Sequence, residues 1–113
     1  MTVYVDNMMA DYYPKHRPGA KYVLSHMIAD TDEELFAMAA KIGVSRRWFQ
    51  GDHFDVTQSC KALAIKYGAR LITWRQCAAM TCNRRFGYDM GTPETAEGIA
   101  QERRARRLGN HGR

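Results

Sequence analysis

The chain lacks the features typical of membrane-spanning, disulfide-bonded and zinc-binding proteins. No apolar run approaches the ~20 residues that a membrane helix requires. The amino terminus alternates apolar and polar residues and carries an acid early, unlike a secretory signal. Its three cysteines include no Cys-x-x-Cys pair, which argues against a disulfide framework or a zinc site. We therefore expect a soluble cytoplasmic protein with reduced thiols and no metal or cofactor.

Several motifs of common enzyme classes are also missing. The sequence contains no Gly-x-Gly-x-x-Gly, no phosphate loop with Gly-Lys-Ser/Thr and no Gly-x-Ser-x-Gly elbow. Ser25 precedes His26, but nothing else supports a serine nucleophile, and Cys60 falls on an apolar helix face. Covalent catalysis is therefore disfavoured.

The length and the charge distribution are informative. A chain of 113 residues, of which 45% are hydrophobic, suffices for one domain with one core. Residues 1–44 carry six acidic and four basic side chains, whereas residues 45–113 carry thirteen basic and six acidic ones. This excess favours an anionic partner, either a nucleotide or a nucleic acid, although solubility alone explains it equally well.

The pattern of elements predicts an α/β fold, with a small, mostly parallel four-stranded sheet, flanking helices and a C-terminal helix. Strands are predicted over residues 2–6, 21–28, 44–50 and 70–75, and a loop over the proline-containing residues 11–19. Residues 1–86 are expected to form the α/β core domain. Residues 87–113 would form a linker, a basic helix and a frayed tail.

Helix boundaries follow from capping signals. Thr31 with Glu34 forms a capping box that opens helix one, and Gly43 ends it. Asp55 with Gln58 predicts the start of a second helix, which ends at Gly68 and buries Val56, Cys60, Leu63, Ala64 and Tyr67. A third, short helix is expected over residues 77–85. Thr92-Pro93 predicts the start of a last helix, which reaches about residue 108. Four arginines lie close together near its end.

Five spaced motifs occur in an order that identifies a family. They are Val3-Tyr4-Val5-Asp6, residues 25–31 (Ser-His-Met-Ile-Ala-Asp-Thr), Arg47-Trp48-Phe49-Gln50, His53-Phe54-Asp55 and Gly68-Ala69. In these motifs the chain resembles a small bacterial and bacteriophage family known as domain of unknown function 4031, over about residues 2–76. The resemblance implies a compact α/β unit in a bacterial host cell but no activity. The usual Val-Asp-Asp of the first strand appears here as Val5-Asp6-Asn7.

The predicted parallel sheet brings polar residues together, because ligands collect at the carboxyl ends of parallel strands. The expected ligand-binding residues are Asp6, His26, Trp48, His53, Asp55, Arg75 and Gln76. His53, Asp55 and His26 are also candidates for general acid-base catalysis. Arg75 would pair with an anion, helped by Lys61 or the Arg46-Arg47 pair. The competing interpretation is structural, since a histidine between Leu24 and Ile28 and aromatic strand residues commonly serve the core.

These residues favour a module that binds a phosphate-bearing small ligand at the carboxyl edge of the sheet. Among such ligands, a nucleotide fits the residues best. A phage protein of this kind could sequester a host signal. One alternative is a His-based or metal-assisted phosphoesterase acting on a nucleotide. Another is a nucleic-acid module that uses the basic C-terminal helix. A metal site formed by Asp6, His26, His53 and Asp55 is chemically possible, because imidazole and carboxylate suit several divalent ions, but no tight ligand spacing supports it. A homodimer is left open.

Overall fold

The computed structural model describes residues 2–111, which divide after Trp74 into two compact units. The first unit contains a mixed sheet and two α-helices, and the second contains helices. The predicted α/β class is confirmed. An independent core domain over residues 1–86 stays a prediction.

The sheet has five strands and is mostly antiparallel, so the prediction of four mostly parallel strands was inexact. The strands are β1 (Val3–Asp6), β2 (Ala10–Tyr12), β3 (Tyr22–Ala29), β4 (Phe54–Thr57) and β5 (Arg70–Ile72). The eight-residue strand β3 pairs antiparallel with β1, β2 and β4, and only the β1–β5 pair is parallel among the described strands. The prediction assumed helical crossovers, which make the connected strands parallel, whereas the three strands that pair with β3 run antiparallel to it.

Two predicted elements were wrong for identifiable reasons. Residues 44–50 contain a short 3₁₀ helix, Arg46–Trp48, instead of a strand. The Phe49 ring that follows packs against Phe36 and Phe54, with ring centroids 4.8 and 5.5 Å apart. Tertiary packing of aromatic rings therefore outweighs the strand propensity of this segment. Within the predicted loop over residues 11–19, the first positions belong instead to β2, which adds to the edge of β3.

The first helix follows its capping signals, and the second does so only in part. Helix α1 (Asp32–Ile42) is capped by Thr31, whose hydroxyl accepts from the Glu34 backbone N–H, and it ends at Gly43 with φ of 82°. Helix α2 (Gln58–Lys66) begins after Thr57 and not at Asp55, because residues 54–57 pair with β3. The Thr57 hydroxyl accepts from the Cys60 N–H.

One face of the sheet carries the hydrophobic core of the first unit. Strand residues that alternate along β1, β3 and β4 pack here against α1 and α2. They are Val3, Val5, Met27, Ala29, Phe54 and Val56, all at most 8% exposed. Helix α2 buries less than predicted: Ala64 is fully buried, but Leu63 and Tyr67 remain 39% and 47% exposed. The opposite face carries the register pair Tyr4 and Ile28, which are also buried, and the polar side chains described below.

The second unit consists largely of α3 (Trp74–Arg85) and α4 (Ala96–His111). The buried Asn83 side chain joins them by donating to the Ala96 carbonyl at 3.0 Å and accepting from Arg103 at 3.3 Å. The last predicted strand stops at Ile72, so Arg75 and Gln76 lie in the first turn of α3. Of the tail expected to fray, residues 109–111 continue α4 and residues 112–113 lie outside the described residues.

Within residues 2–111, none of the helices has the length and the apolar content needed to cross a membrane.

Candidate functional site

Antiparallel register places three polar residues in a row on the face of the sheet opposite α1 and α2. His26 in β3 is the direct partner of Asp55 in β4. On the other side, Val5 pairs with Met27, which sets Asp6 beside His26. Because adjacent strands present their paired side chains on the same face, Asp6, His26 and Asp55 are neighbours. The row crosses three strands, whereas the predicted parallel sheet had placed these residues at strand ends.

Asp6 is the buried anchor of this row, with a side chain only 1% exposed. Its Oδ1 accepts from the backbone N–H groups of His26 and Met8, and its Oδ2 lies 2.8 Å from Nδ1 of His26. Burial raises the pKa of Asp6, but the hydrogen bonds and the charge of His26 outweigh it and lower the pKa overall. The hydrogen bond to Asp6 raises the pKa of His26 against the opposing effect of burial.

His53 reaches the same place from the loop that precedes β4. Gly51 takes a φ of 90°, and the Gln50 N–H donates to the His53 carbonyl at 2.9 Å, so the loop is closed on itself. Nδ1 of His53 lies 2.7 Å from Oδ1 of Asp52, and its ring packs edge-on to His26 with centroids 5.3 Å apart. The two imidazoles are therefore both fixed through Nδ1 by a carboxylate.

The second nitrogens of both rings converge on Asp55. Nε2 of His53 lies 3.5 Å from Asp55 Oδ1, and Nε2 of His26 lies 3.8 Å from the same oxygen. The other carboxylate oxygen, Oδ2, accepts from Nε2 of Gln50 at 2.7 Å. We call His26, His53 and Asp55 the histidine cluster. Its side chains are between 15% and 35% exposed, so it is reachable from solvent.

A buried polar network holds the strand ends beneath this cluster. The Ser25 hydroxyl, 1% exposed as a residue, donates to the Met8 carbonyl and accepts from Lys61 and Gln58, each at 3.1 Å. Nζ of Lys61 also donates to the Asp6 carbonyl at 3.3 Å. In these contacts Lys61 stabilises the fold, whereas the sequence had suggested that it helps to bind phosphate.

Two cavities adjoin the cluster, and Asp55 contributes to both. The smaller, about 410 Å³, is lined by His26, Asp55 and residues of β2. The larger, about 690 Å³, extends from Asp55 past the 3₁₀ helix to the loop before β3. We call it the aromatic cavity, since it is lined by Tyr12, Tyr22, Trp48 and Phe49 together with Arg17, Arg47, His16 and Gln50. Its size is that of a small-molecule site.

The structure thus brings together Asp6, His26, His53 and Asp55, and it places Trp48 on the wall of the aromatic cavity with 54% of its surface exposed. Arg75 and Gln76 belong to a helix of the second unit, so their proposed ligand contacts stay predictions. Arg46 turns away: its guanidinium stacks 3.9 Å above the centre of the Phe36 ring, whereas Arg47 lines the cavity.

The sequence suggested that the tyrosines and basic residues of the loop over residues 11–19 could cover a ligand, but a surface loop without such a role was the preferred interpretation. In the structure, Tyr12, His16 and Arg17 line the aromatic cavity. Nη1 of Arg17 donates to the Tyr22 hydroxyl at 2.7 Å, which ties the loop to β3. The available signal was the pair of tyrosines just before Pro14 and the run of basic residues between Pro14 and Pro18, a composition suited to covering a ligand.

Asn7, the residue after Asp6, also has a defined contact. Its side-chain Oδ1 accepts from the Trp74 backbone N–H at 2.7 Å, so it satisfies a donor at the start of α3. A second carboxylate beside Asp6 is not needed for this contact.

Comparison with known proteins agrees with the motifs. No curated protein and no solved structure matches the chain. The family described as "Protein of unknown function (DUF4031)" matches residues 3–84, which is well over half of the sequence. The chain therefore belongs to the DUF4031 family.

Proposed function

We propose that this protein binds a phosphate-bearing small ligand, with a nucleotide as the best fit, in the aromatic cavity. The observation that supports this most is the combination of aromatic rings and guanidinium groups on one concave surface. A purine or pyrimidine stacks on such rings, and arginine pairs with phosphate oxygens in two parallel hydrogen bonds.

Trp48 and Arg47 are the best-placed partners for the two halves of the ligand. The Trp48 indole is 54% exposed and has the Arg47 guanidinium 4.9 Å from its ring centre. Arg17 also lines the cavity, and its guanidinium donates a hydrogen bond to the Tyr22 hydroxyl. A base over Trp48 would leave its phosphate within reach of arginine. In a phage, binding of this kind would serve to sequester a host nucleotide signal.

Calorimetric titration of ATP and AMP into the purified protein tests the proposal, with neighbouring arginines as matched variants. Arg47→Ala should weaken binding about tenfold or more, since a charged hydrogen bond contributes about 1.5–3 kcal/mol. Arg46→Ala removes the same charge from a side chain that stacks on Phe36, and its affinity should stay within about twofold of the unmodified protein. Equal losses in both variants, or no heat of binding with either nucleotide, would contradict the proposal.

Hydrolysis of a bound phosphoester is the second candidate, supported by the position of Asp55. This carboxylate lines the aromatic cavity and also faces the two imidazoles, so a ligand held there would lie beside potential acid-base groups. Chromatography of nucleotides after incubation separates the two functions. A binder returns the nucleotide intact, whereas a phosphoesterase releases phosphate and loses that activity on His53→Ala.

A further inference from the structure

We propose that the histidine cluster binds one divalent first-row transition-metal ion, of the class represented by Zn²⁺, through Nε2 of His26, Nε2 of His53 and Oδ1 of Asp55. This goes beyond nucleotide binding and departs from the sequence-based expectation of no metal. The three ligand atoms lie within 4.8 Å of one another. Two imidazoles and one carboxylate form a donor set that suits Zn²⁺, Fe²⁺ and related ions.

The tautomers direct lone pairs into the centre of the cluster. Asp6 and Asp52 are carboxylates that accept hydrogen bonds, so Nδ1 of each imidazole carries the proton. In a neutral ring, Nε2 is then the lone-pair atom. Both Nε2 atoms face Asp55 Oδ1, which is another acceptor. A cation at the centre would offset the repulsion among these three lone-pair-bearing atoms.

The separations fit a coordination site better than hydrogen bonds. Charge-assisted N–H···O contacts are about 2.7–2.9 Å long, whereas the two Nε2 atoms lie 3.5 and 3.8 Å from Asp55 Oδ1. An ion held about 2.1 Å from each ligand would set tetrahedral ligand atoms roughly 3.4 Å apart. The two contacts to Asp55 therefore need to shorten by at most a few tenths of an ångström to hold an ion, and the two Nε2 atoms lie within 4.8 Å of each other.

Outer contacts complete the resemblance to a metal centre. Metal-binding histidines commonly donate their other N–H to a carboxylate, which fixes the ring and makes it a better ligand. Here Asp6 serves His26, Asp52 serves His53, and Gln50 holds the second oxygen of Asp55. The cavity of about 410 Å³ beside His26 and Asp55 leaves room for water or a substrate atom at an open position. Three protein ligands with an open position are typical of catalytic metal sites.

Titration of the EDTA-treated, re-dialysed protein with Zn²⁺ alone tests the site without any nucleotide, so its outcome is independent of the proposed function. Calorimetry should give about one ion per chain, and Co²⁺ should give visible absorption bands typical of a low-coordinate N/O site. His53→Ala and Asp55→Asn should each weaken Zn²⁺ binding at least tenfold. Asp52→Asn, which alters the outer contact to His53, should weaken it by about 10–100-fold.

His16→Ala is the matched control, because it deletes an imidazole outside the cluster and should leave Zn²⁺ affinity unchanged. Circular dichroism confirms that each variant is folded. Asp55→Asn keeps the side-chain shape, so it tests Zn²⁺ binding by the cluster even if His53→Ala does not fold. Unaltered Zn²⁺ affinity in Asp55→Asn, or no saturable binding by the unmodified protein, would overturn the proposal. If the cysteine thiols were the ligands, Zn²⁺ binding would persist in both His53→Ala and Asp55→Asn, and that result would also count against the proposal.

Discussion

Nδ1 of His26 lies 2.8 Å from Oδ2 of Asp6, a hydrogen bond that links the middle of β3 to the end of β1. It connects a carboxylate that is 1% exposed to an imidazole that is 35% exposed. This pair fixes one wall of the histidine cluster and also makes the stability of the first unit depend on pH.

The pH dependence follows from the two pKa shifts. The pKa of Asp6 is lowered, so its contribution to stability is present above about pH 3.9, the ordinary aspartate value, and is lost as pH falls through the folded-state value. The pKa of His26 is raised, so its contribution is present below about pH 6.5 and is lost as pH rises through the folded-state value. Both contributions are therefore present from about pH 4 to 6.5.

Urea unfolding with EDTA present, at several pH values, measures this window in comparison with Asp6→Asn. The asparagine can keep the backbone hydrogen bonds to Oδ1 but removes the charge. The unmodified protein should lose more free energy of unfolding than Asp6→Asn outside the window, on both sides. Parallel pH profiles for the two proteins would show that the ion pair is not responsible.

Ser25→Ala should destabilise the first unit by about 1–3 kcal/mol. The substitution leaves the Met8 carbonyl, Lys61 and Gln58 without their shared partner in a buried position. Ser45→Ala is the control, because Ser45 is exposed and makes no side-chain capping bond. Urea unfolding measures both. A change below about 0.5 kcal/mol for Ser25→Ala would mean that the network adds little to stability.

Trp48 fluorescence should respond to nucleotide. The chain has two tryptophans, so Trp74→Phe leaves Trp48 as the reporter, and the backbone N–H of residue 74 can still donate to Asn7. Stacking of a base on the indole should quench emission saturably as ATP is added. Trp48→Ala should reduce ATP affinity by about 1–3 kcal/mol. If the emission of the Trp74→Phe protein does not change at saturating ATP, the base does not stack on Trp48.

Local signals in the sequence determined the first helix correctly, whereas strand pairing could not be inferred from them. Thr31 and Gly43 act through bonds to residues a few positions away, so α1 was predictable. Asp55 carries an equally good capping signal, but pairing of β4 with His26 in β3 places it in a strand, and Thr57 caps α2 instead. Such pairing depends on contacts about thirty residues apart along the chain, which periodicity does not reveal.

The grouping of Asp6, His26, His53 and Asp55 was anticipated, but for a different geometric reason. The prediction relied on parallel strands that end at one edge, and the residues instead meet across the antiparallel register of β1, β3 and β4. The aromatic cavity was less accessible to sequence reasoning. Its walls come from residues 12–24 and 43–60, and only folding brings the loop arginine Arg17 and the 3₁₀ helix to one concave surface.

Backbone amide shifts recorded by NMR during titration with ATP test the central claim most directly. If the ligand occupies the aromatic cavity, the shifted amides should cluster in residues 12–24 and 43–60, and Arg47→Ala should reduce these shifts at equal ATP concentration. Shifts confined to the arginine-rich helix α4, where the nucleic-acid alternative places its contacts, or the absence of any saturable shift, would contradict binding in the cavity.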